Sequence, residues 1–160
     1  TRGERFRAIN PWGQVPVLEL DDGRRLTQSN AIIRYLAAGT PLLPADAFAQ
    51  ARIDEWLFWE QYSHEPYVAV CRFVMVYENK PAAAREAWRV ERGERALDHM
   101  DTHLAGRDWL ADDGPSIADV ALVAYTQYAH QAGFDLADRP NLTAWVRRTQ
   151  HALGLPPTLS

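Results

Sequence analysis

Val15-Pro16, with Gln14 before it, and Gln28-Ser29 are the residues of this chain whose types and spacing suggest binding chemistry. Pro16 cannot donate a backbone hydrogen bond, so it fits the first residue of a strand and not its middle. A cis Val15–Pro16 bond there would turn the Val15 N–H and C=O outward, free to pair with an extended peptide as in strand addition. Ser29 stands where a helix N-cap belongs. The start of a helix presents unpaired N–H groups and a partial positive charge, a natural seat for a carboxylate. An edge that pairs with backbone, beside a helix start that holds a carboxylate, suits a small acidic peptide. The same residues also read as an ordinary hairpin and an ordinary helix cap.

These residues can meet only if Asn10 to Leu36 folds as one unit. Gln14 to Leu20 is a short apolar run of strand character, and Asp21-Asp22-Gly23 is a turn signal in which Gly supplies a positive φ. Arg24 to Thr27 can return as a second strand. Ala31, Ile32, Ile33, Tyr35 and Leu36 are then apolar at helical spacing. Strand, turn, strand and helix form one supersecondary unit.

The pattern NPxGxVPxL, followed after the turn by QS-x-AI-x-x-YL, resembles the second half of the glutathione-binding domain of the glutathione S-transferases. The resemblance implies a cis Val15–Pro16 bond and a Val15 backbone that pairs with the cysteinyl part of glutathione. It implies that Gln28 and Ser29 hold the γ-glutamyl end and that Gln14 touches the tripeptide. Glutathione would be a co-substrate, with no metal, conjugated to a hydrophobic electrophile in a cytoplasmic, detoxifying homodimer. The alternatives are a non-catalytic interaction module of the same fold, or glutathione-dependent thiol–disulfide exchange, isomerisation or dehalogenation. The family's domain is thioredoxin-like and opens with a strand, a helix and a strand, none of which precedes Asn10. Roughly forty residues, the length of one crossover with its flanks, are therefore expected upstream. The family's thiol-activating Tyr, Ser or Cys lies at the end of that first strand, so no catalytic residue is named in this chain.

Composition agrees with a filled core. The 160 residues are 47% hydrophobic with six Trp, far from disorder. A net charge of −4 gives no support to nucleic-acid binding. No stretch reads as a membrane span or a secretory signal. A single Cys cannot build a disulfide framework. The expected class is α+β and mostly α: 1–38 as the C-terminal half of a thioredoxin-like domain, 39–45 as a linker, and 46–160 as an all-α domain. After the polar opening Thr1 to Ala8 and the breaker cluster Gly39 to Pro44, the spacing predicts a long helix over Ala45–Asn79, kinked at Pro66. Further helices are predicted over Ala82–Leu104, from Ser116 to about Ala132, and over Asn141–Gln150, with a loop at Gly106–Pro115 and a tail from Leu153 to Ser160. Ser116 and Asp119 form a capping-box pattern, flanked by Pro115 and Val120 as a staple.

Around Pro66, the run Tyr62-Ser63-His64-Glu65-Pro66-Tyr67 mixes aromatic and polar residues in a way unusual for a core. By the resemblance this helix borders glutathione, making Tyr62, His64, Tyr67 and Arg72 candidates for the co-substrate pocket. The other reading has Tyr62 and Tyr67 in the core and His64 on the surface. Some members of the resembling family place an acid from the partner subunit near the glutathione amino group; Glu60 or Glu65 could serve, but neither matches a motif. His99 and His103 share a helical face at a zinc-compatible spacing, yet Met100 stands where a metalloprotease needs Glu, and a solvated face is expected. Cys71 is expected in the core. Arg85, Arg89, Arg92 and Arg95, interleaved with Glu86, Glu91 and Glu94, read as a solvated surface. The aromatic face of Trp56, Phe58 and Trp59 is broad enough for a subunit interface.

Overall fold

The computed structural model describes residues 3–111 and 113–159. Thr1 and Arg2 of the opening stretch, Asp112 of the predicted loop and Ser160 of the tail lie outside the described residues. A short helix α1, Glu4–Ile9, leads into an antiparallel hairpin of β1, Val17–Glu19, and β2, Arg25–Thr27. Its register pairs Val17 with Thr27, Leu18 with Leu26 and Glu19 with Arg25. The Asp21–Gly23 turn closes it, with the Arg24 N–H donating to Asp22 Oδ1 at 3.0 Å. Helix α2, Ser29–Leu36, follows and buries Ile32, while Ile33 packs on the main core.

The remaining helices are α3, Ala47–Trp59; α4, Glu65–Arg72; α5, Ala87–Leu104; α6, Ile117–Thr126; and α7, Pro140–Leu153. They enclose one core in which Ile53, Leu97, Met100, Leu122, Leu142 and Trp145 are fully buried. Cys71 joins this core as expected, and burial pushes its thiol up from the ordinary range. Among the described residues no helix is long and apolar enough to cross a membrane.

Three helix expectations need correction. The long helix kinked at Pro66 instead changes hydrogen-bond register in two π-helical turns, Glu60–His64 and Phe73–Tyr77, on either side of α4. Pro66 lacks an N–H, and its ring crowds the carbonyl one turn earlier. The widened turn before it, in which the Glu65 N–H reaches Glu60 O, leaves Pro66 in the first turn of α4, where neither defect matters. The helix expected from Ala82 begins only at Ala87, after a 3-10 turn over Ala82–Ala84. Arg85 is extended between them, and its guanidinium donates to Ala132 O at 2.7 Å and Gly133 O at 3.2 Å. The helix expected to reach Ala132 ends at Thr126, and a separate 3-10 turn, Ala129–Ala132, follows. Gly133 ends that turn at φ 75°, and a Cβ there would sit 2.8 Å from Arg85 Nη1, so a side chain at this position is strained and displaces the Arg85 guanidinium.

The start of α6 is the expected capping box. The Ser116 N–H donates to Asp119 Oδ2 at 2.9 Å, and the Ala118 N–H donates to Ser116 Oγ at 3.2 Å. Asp119 also binds beyond its own helix, accepting from the Leu110 N–H at 3.1 Å and from Trp145 Nε1 at 2.8 Å. Burial pushes its carboxyl up against the pull of these bonds.

Within the arginine run Arg92 and Arg95 are exposed, as expected of a solvated surface, while Arg85 and Arg89 are half-buried. Arg89 donates to Glu86 and to Pro66 O and lies over the Trp88 ring, and Arg92 donates to Tyr67 Oη at 3.0 Å. His99 is exposed, as expected, with its ring against Trp56 and Trp59, while His103 is half-buried against Trp56 with Nε2 2.8 Å from Leu110 O.

Candidate functional site

Asn10 sets the edge that carries Val15. Its side chain is buried; Nδ2 donates to Gln14 O at 2.7 Å, and Oδ1 accepts from the Trp12 N–H at 3.2 Å. Gly13 bends the loop between them at φ 67°, a conformation glycine adopts without steric cost. The Val15–Pro16 bond that follows is cis, as the resemblance implies, and Pro16 precedes the first paired residue of β1. Among the described residues none hydrogen-bonds the Val15 backbone, so its N–H and C=O are open to a ligand.

Across the hairpin, the chain enters α2 through Gln28, which holds φ 71° and ψ 116°. A side-chain-bearing residue in that region is strained, and such residues gather at functional sites. The expectation that Ser29 is the N-cap is corrected here: Gln28 occupies the cap and Ser29 is the first helical residue. The turn into the helix comes one residue early because of the Gln28 backbone. Neither side chain folds back to cap the helix, so the Gln28 amide and Ser29 hydroxyl stay exposed beside the helix's first N–H groups.

The opposite wall comes from the long helical rod. Asn30 of α2 joins the two walls, its Nδ2 donating to Leu57 O and to Glu60 Oε2, both at 3.0 Å. Gln61 Nε2 donates to the same Glu60 oxygen at 2.7 Å. Burial raises the Glu60 pKa, and these two bonds pull it back. One turn on, Glu65 is half-buried and its pKa is raised by desolvation, with Arg89 opposing. Tyr125 of α6 is raised by burial and by Glu65 and Glu60.

Between the walls lies a cleft of about 410 Å³ lined by Val15, Gln28 and Ser29 on one side and by Gln61, Glu65 and Tyr125 on the other. Gln14 and Pro16 also line it, so all five residues singled out for the tripeptide meet there. The volume is that of an ordinary small-ligand site. Tyr62, His64, Tyr67 and Arg72 do not line it. Tyr62 points to solvent at 80% exposure. His64 is fully buried, with Nε2 3.0 Å from Thr126 Oγ1 and Nδ1 without a partner. Both placements are the reverse of the alternative reading that put Tyr62 in the core and His64 on the surface. Tyr67 is buried under Trp88, and Arg72 binds Gln131 Oε1 at 2.8 Å and stacks on Tyr128. The π-helical turn over Glu60–His64 shifts the phase of the helix, so that Gln61 and Glu65 face the cleft. The sequence carried no signal for that face, because the widened turn breaks the ordinary helical period. Among the described residues no group of three or more His, Cys, Asp or Glu is placed to hold a metal.

Comparison with known proteins follows this geometry. Residues 1–38 match the family model for the glutathione S-transferase N-terminal domain, and residues 81–148 that for the C-terminal domain. Among solved structures, a glutathione S-transferase from Xanthobacter autotrophicus Py2 is 49% identical with a TM-score of 0.89, the match covering 98% of this chain and 76% of that one. A sphingomonad glutathione S-transferase solved in complex with glutathione is 31% identical with a TM-score of 0.75, over 98% of this chain and 75% of that one. A maleylacetoacetate isomerase of Rhizobium meliloti (strain 1021) is 37% identical over 155 residues, which are 92% of this chain and 72% of the relative. With both halves of the chain matched, and the fold shared at this level of identity, the chain belongs to the glutathione S-transferase family.

Proposed function

We propose that this chain carries the glutathione site of a glutathione transferase that conjugates the tripeptide to an electrophilic small molecule. The observation that supports the reading is the convergence of the unpaired Val15 backbone, the exposed Gln28 and Ser29 side chains and the start of α2 on one cleft. In this reading Val15 pairs with the cysteinyl backbone, Gln28 and Ser29 hold the γ-glutamyl carboxylate, and Gln14 and Pro16 shape the floor. Residues 1–38 form the glutathione-binding unit, 39–45 the linker and 46–160 the helical domain.

The chemistry asks for a thiolate. A free thiol with pKa near 8.5 is only a few per cent ionised at pH 7, so lowering it by about two units makes the nucleophile dominant for under about 3 kcal/mol of differential stabilisation. Holding the tripeptide against the hairpin edge orients its sulfur toward the helical wall and lowers the entropy cost of reaction. A cytoplasmic setting, where glutathione is kept reduced, fits this use. A homodimer is part of the reading; of Trp56, Phe58 and Trp59, Trp56 is buried in the core and Trp59 half-buried, so its support is Phe58 of α3 and Tyr62 of the following π-helical turn, both exposed large aromatics. Sedimentation at micromolar concentration reads the oligomer directly, and monomer alone overturns it.

Retention on immobilised glutathione tests the site. The protein is expected to bind and to elute with free glutathione, and Ser29→Ala to lose most of that retention while keeping its helical circular dichroism. A protein that passes through unretained, or a Ser29→Ala variant held as tightly as its parent, overturns the proposal.

A further inference from the structure

Glu65 is the one charged side chain among the described residues that line the cleft, where Val15 and Pro16 are wholly apolar and Trp12 carries an indole N–H as its one polar group. Its carboxylate forms no hydrogen bond or ion pair with any described residue. The nearby cation, Arg89, is engaged by Glu86 and by Pro66 O. Gln61, the neighbouring donor on the same face, is already turned to Glu60. Tyr125 lines the same wall of the cleft. A half-buried carboxylate left without a partner is costly, and a ligand that brings a donor or a positive charge relieves that cost. A ligand that brings a second negative charge adds to it.

Glu65 stands on the helical wall, across from Val15, Gln28 and Ser29. In the functional reading above, the tripeptide lies along the hairpin wall, across the cleft from Glu65. Resting on the functional reading above, we propose that Glu65 selects the co-substrate by charge: the electrophile is a polar molecule that offers a hydrogen-bond donor or a cation, and anionic electrophiles are rejected. This narrows the substrate class from the hydrophobic electrophile that the family resemblance implies.

Iodoacetamide and iodoacetate form a pair of similar size that separates donor from anion. With either, the glutathione thiolate attacks the halomethyl carbon, a C–S bond forms, and iodide leaves with the bonding pair of the broken C–I bond. The thiol proton passes to the buffer. At saturating glutathione, kcat/KM corrected for the uncatalysed rates is expected to favour the amide by about tenfold or more beyond the uncatalysed ratio. Glu65→Gln is expected to bring the preference back to the uncatalysed ratio, and Glu65→Asp to restore most of it. A wild-type preference equal to the uncatalysed ratio overturns the proposal without need of a variant. So does a Glu65→Gln variant that slows both reagents equally, the behaviour of a residue that holds glutathione itself. Retention on glutathione with no such preference leaves the binding reading intact while this inference fails. Loss of retention and of catalysis with both reagents removes the two together.

Discussion

The His64 ring is sealed between the π-helical turn and α6, and its bonding fixes its protonation. Thr126 Oγ1 donates to Leu122 O at 2.7 Å, so it can only accept from His64 Nε2 at 3.0 Å, which leaves Nδ1 a bare lone pair in the core. Burial lowers the His64 pKa from 6.5 to about 3, so the folded protein keeps the ring neutral where the unfolded chain takes up a proton. The unfolded state then binds more protons between those two values, and stability falls as pH is lowered through that window. The slope from one such group is about 1.4 kcal/mol per pH unit. Urea unfolding at pH 7, 6 and 5 is expected to show His64→Gln less stable than its parent at pH 7, with a gap that narrows by roughly that amount per unit below 6. A gap independent of pH contradicts the neutral buried ring. The sequence offered no handle on His64, because the widened turn alters which side of the rod each residue faces. That Val15, Gln28 and Ser29 line one cleft was legible because the hairpin and the helix start that carry them are set by local chemistry.

Helix α6 shows what a local signal can and cannot reveal. The S-x-x-D spacing marked its start, and Ser116→Ala should cost about 1 kcal/mol, as loss of an N-cap does. Nothing in the spacing disclosed that Asp119 also receives the Leu110 N–H and the Trp145 indole from sequence-distant elements. Asp119→Ala strips an acceptor from four donors at once, the Leu110 N–H, the Ser116 N–H and hydroxyl and the Trp145 indole, leaving buried donors unpaired, and is expected to cost about 3 kcal/mol or more. Chemical denaturation of the two variants checks the order: Asp119→Ala well below Ser116→Ala, where a mere helix cap would make them equal. The shorter α5 and α6 were missed for a related reason. Arg85, extended just before α5, docks on Ala132 O and Gly133 O at the end of the 3-10 turn that follows α6, and such a tertiary pairing has no local signature.

The hairpin unit and the helical domain are tied by polar links at the junction: Arg34 to Asp54 at 2.6 Å, Asn30 to Glu60, and the Ile117 N–H to Leu42 O at 3.0 Å. These links hold the two walls of the cleft in register, so the site belongs to the whole molecule and not to the hairpin alone. The composition and helical periodicity foretold a mostly helical chain with a small sheet, and that is its architecture. The helical wall was the part that sequence could not supply, since it depends on where the long rod lies against α2. Titration of glutathione into ¹⁵N-labelled protein, followed by amide resonances, tests the site most directly. Saturable shifts are expected at Val15, Gln28, Ser29 and Gln61, with the α7 amides unmoved. Shifts scattered over the helical domain, or none at Val15 and Ser29 at millimolar glutathione, would contradict a tripeptide site in this cleft.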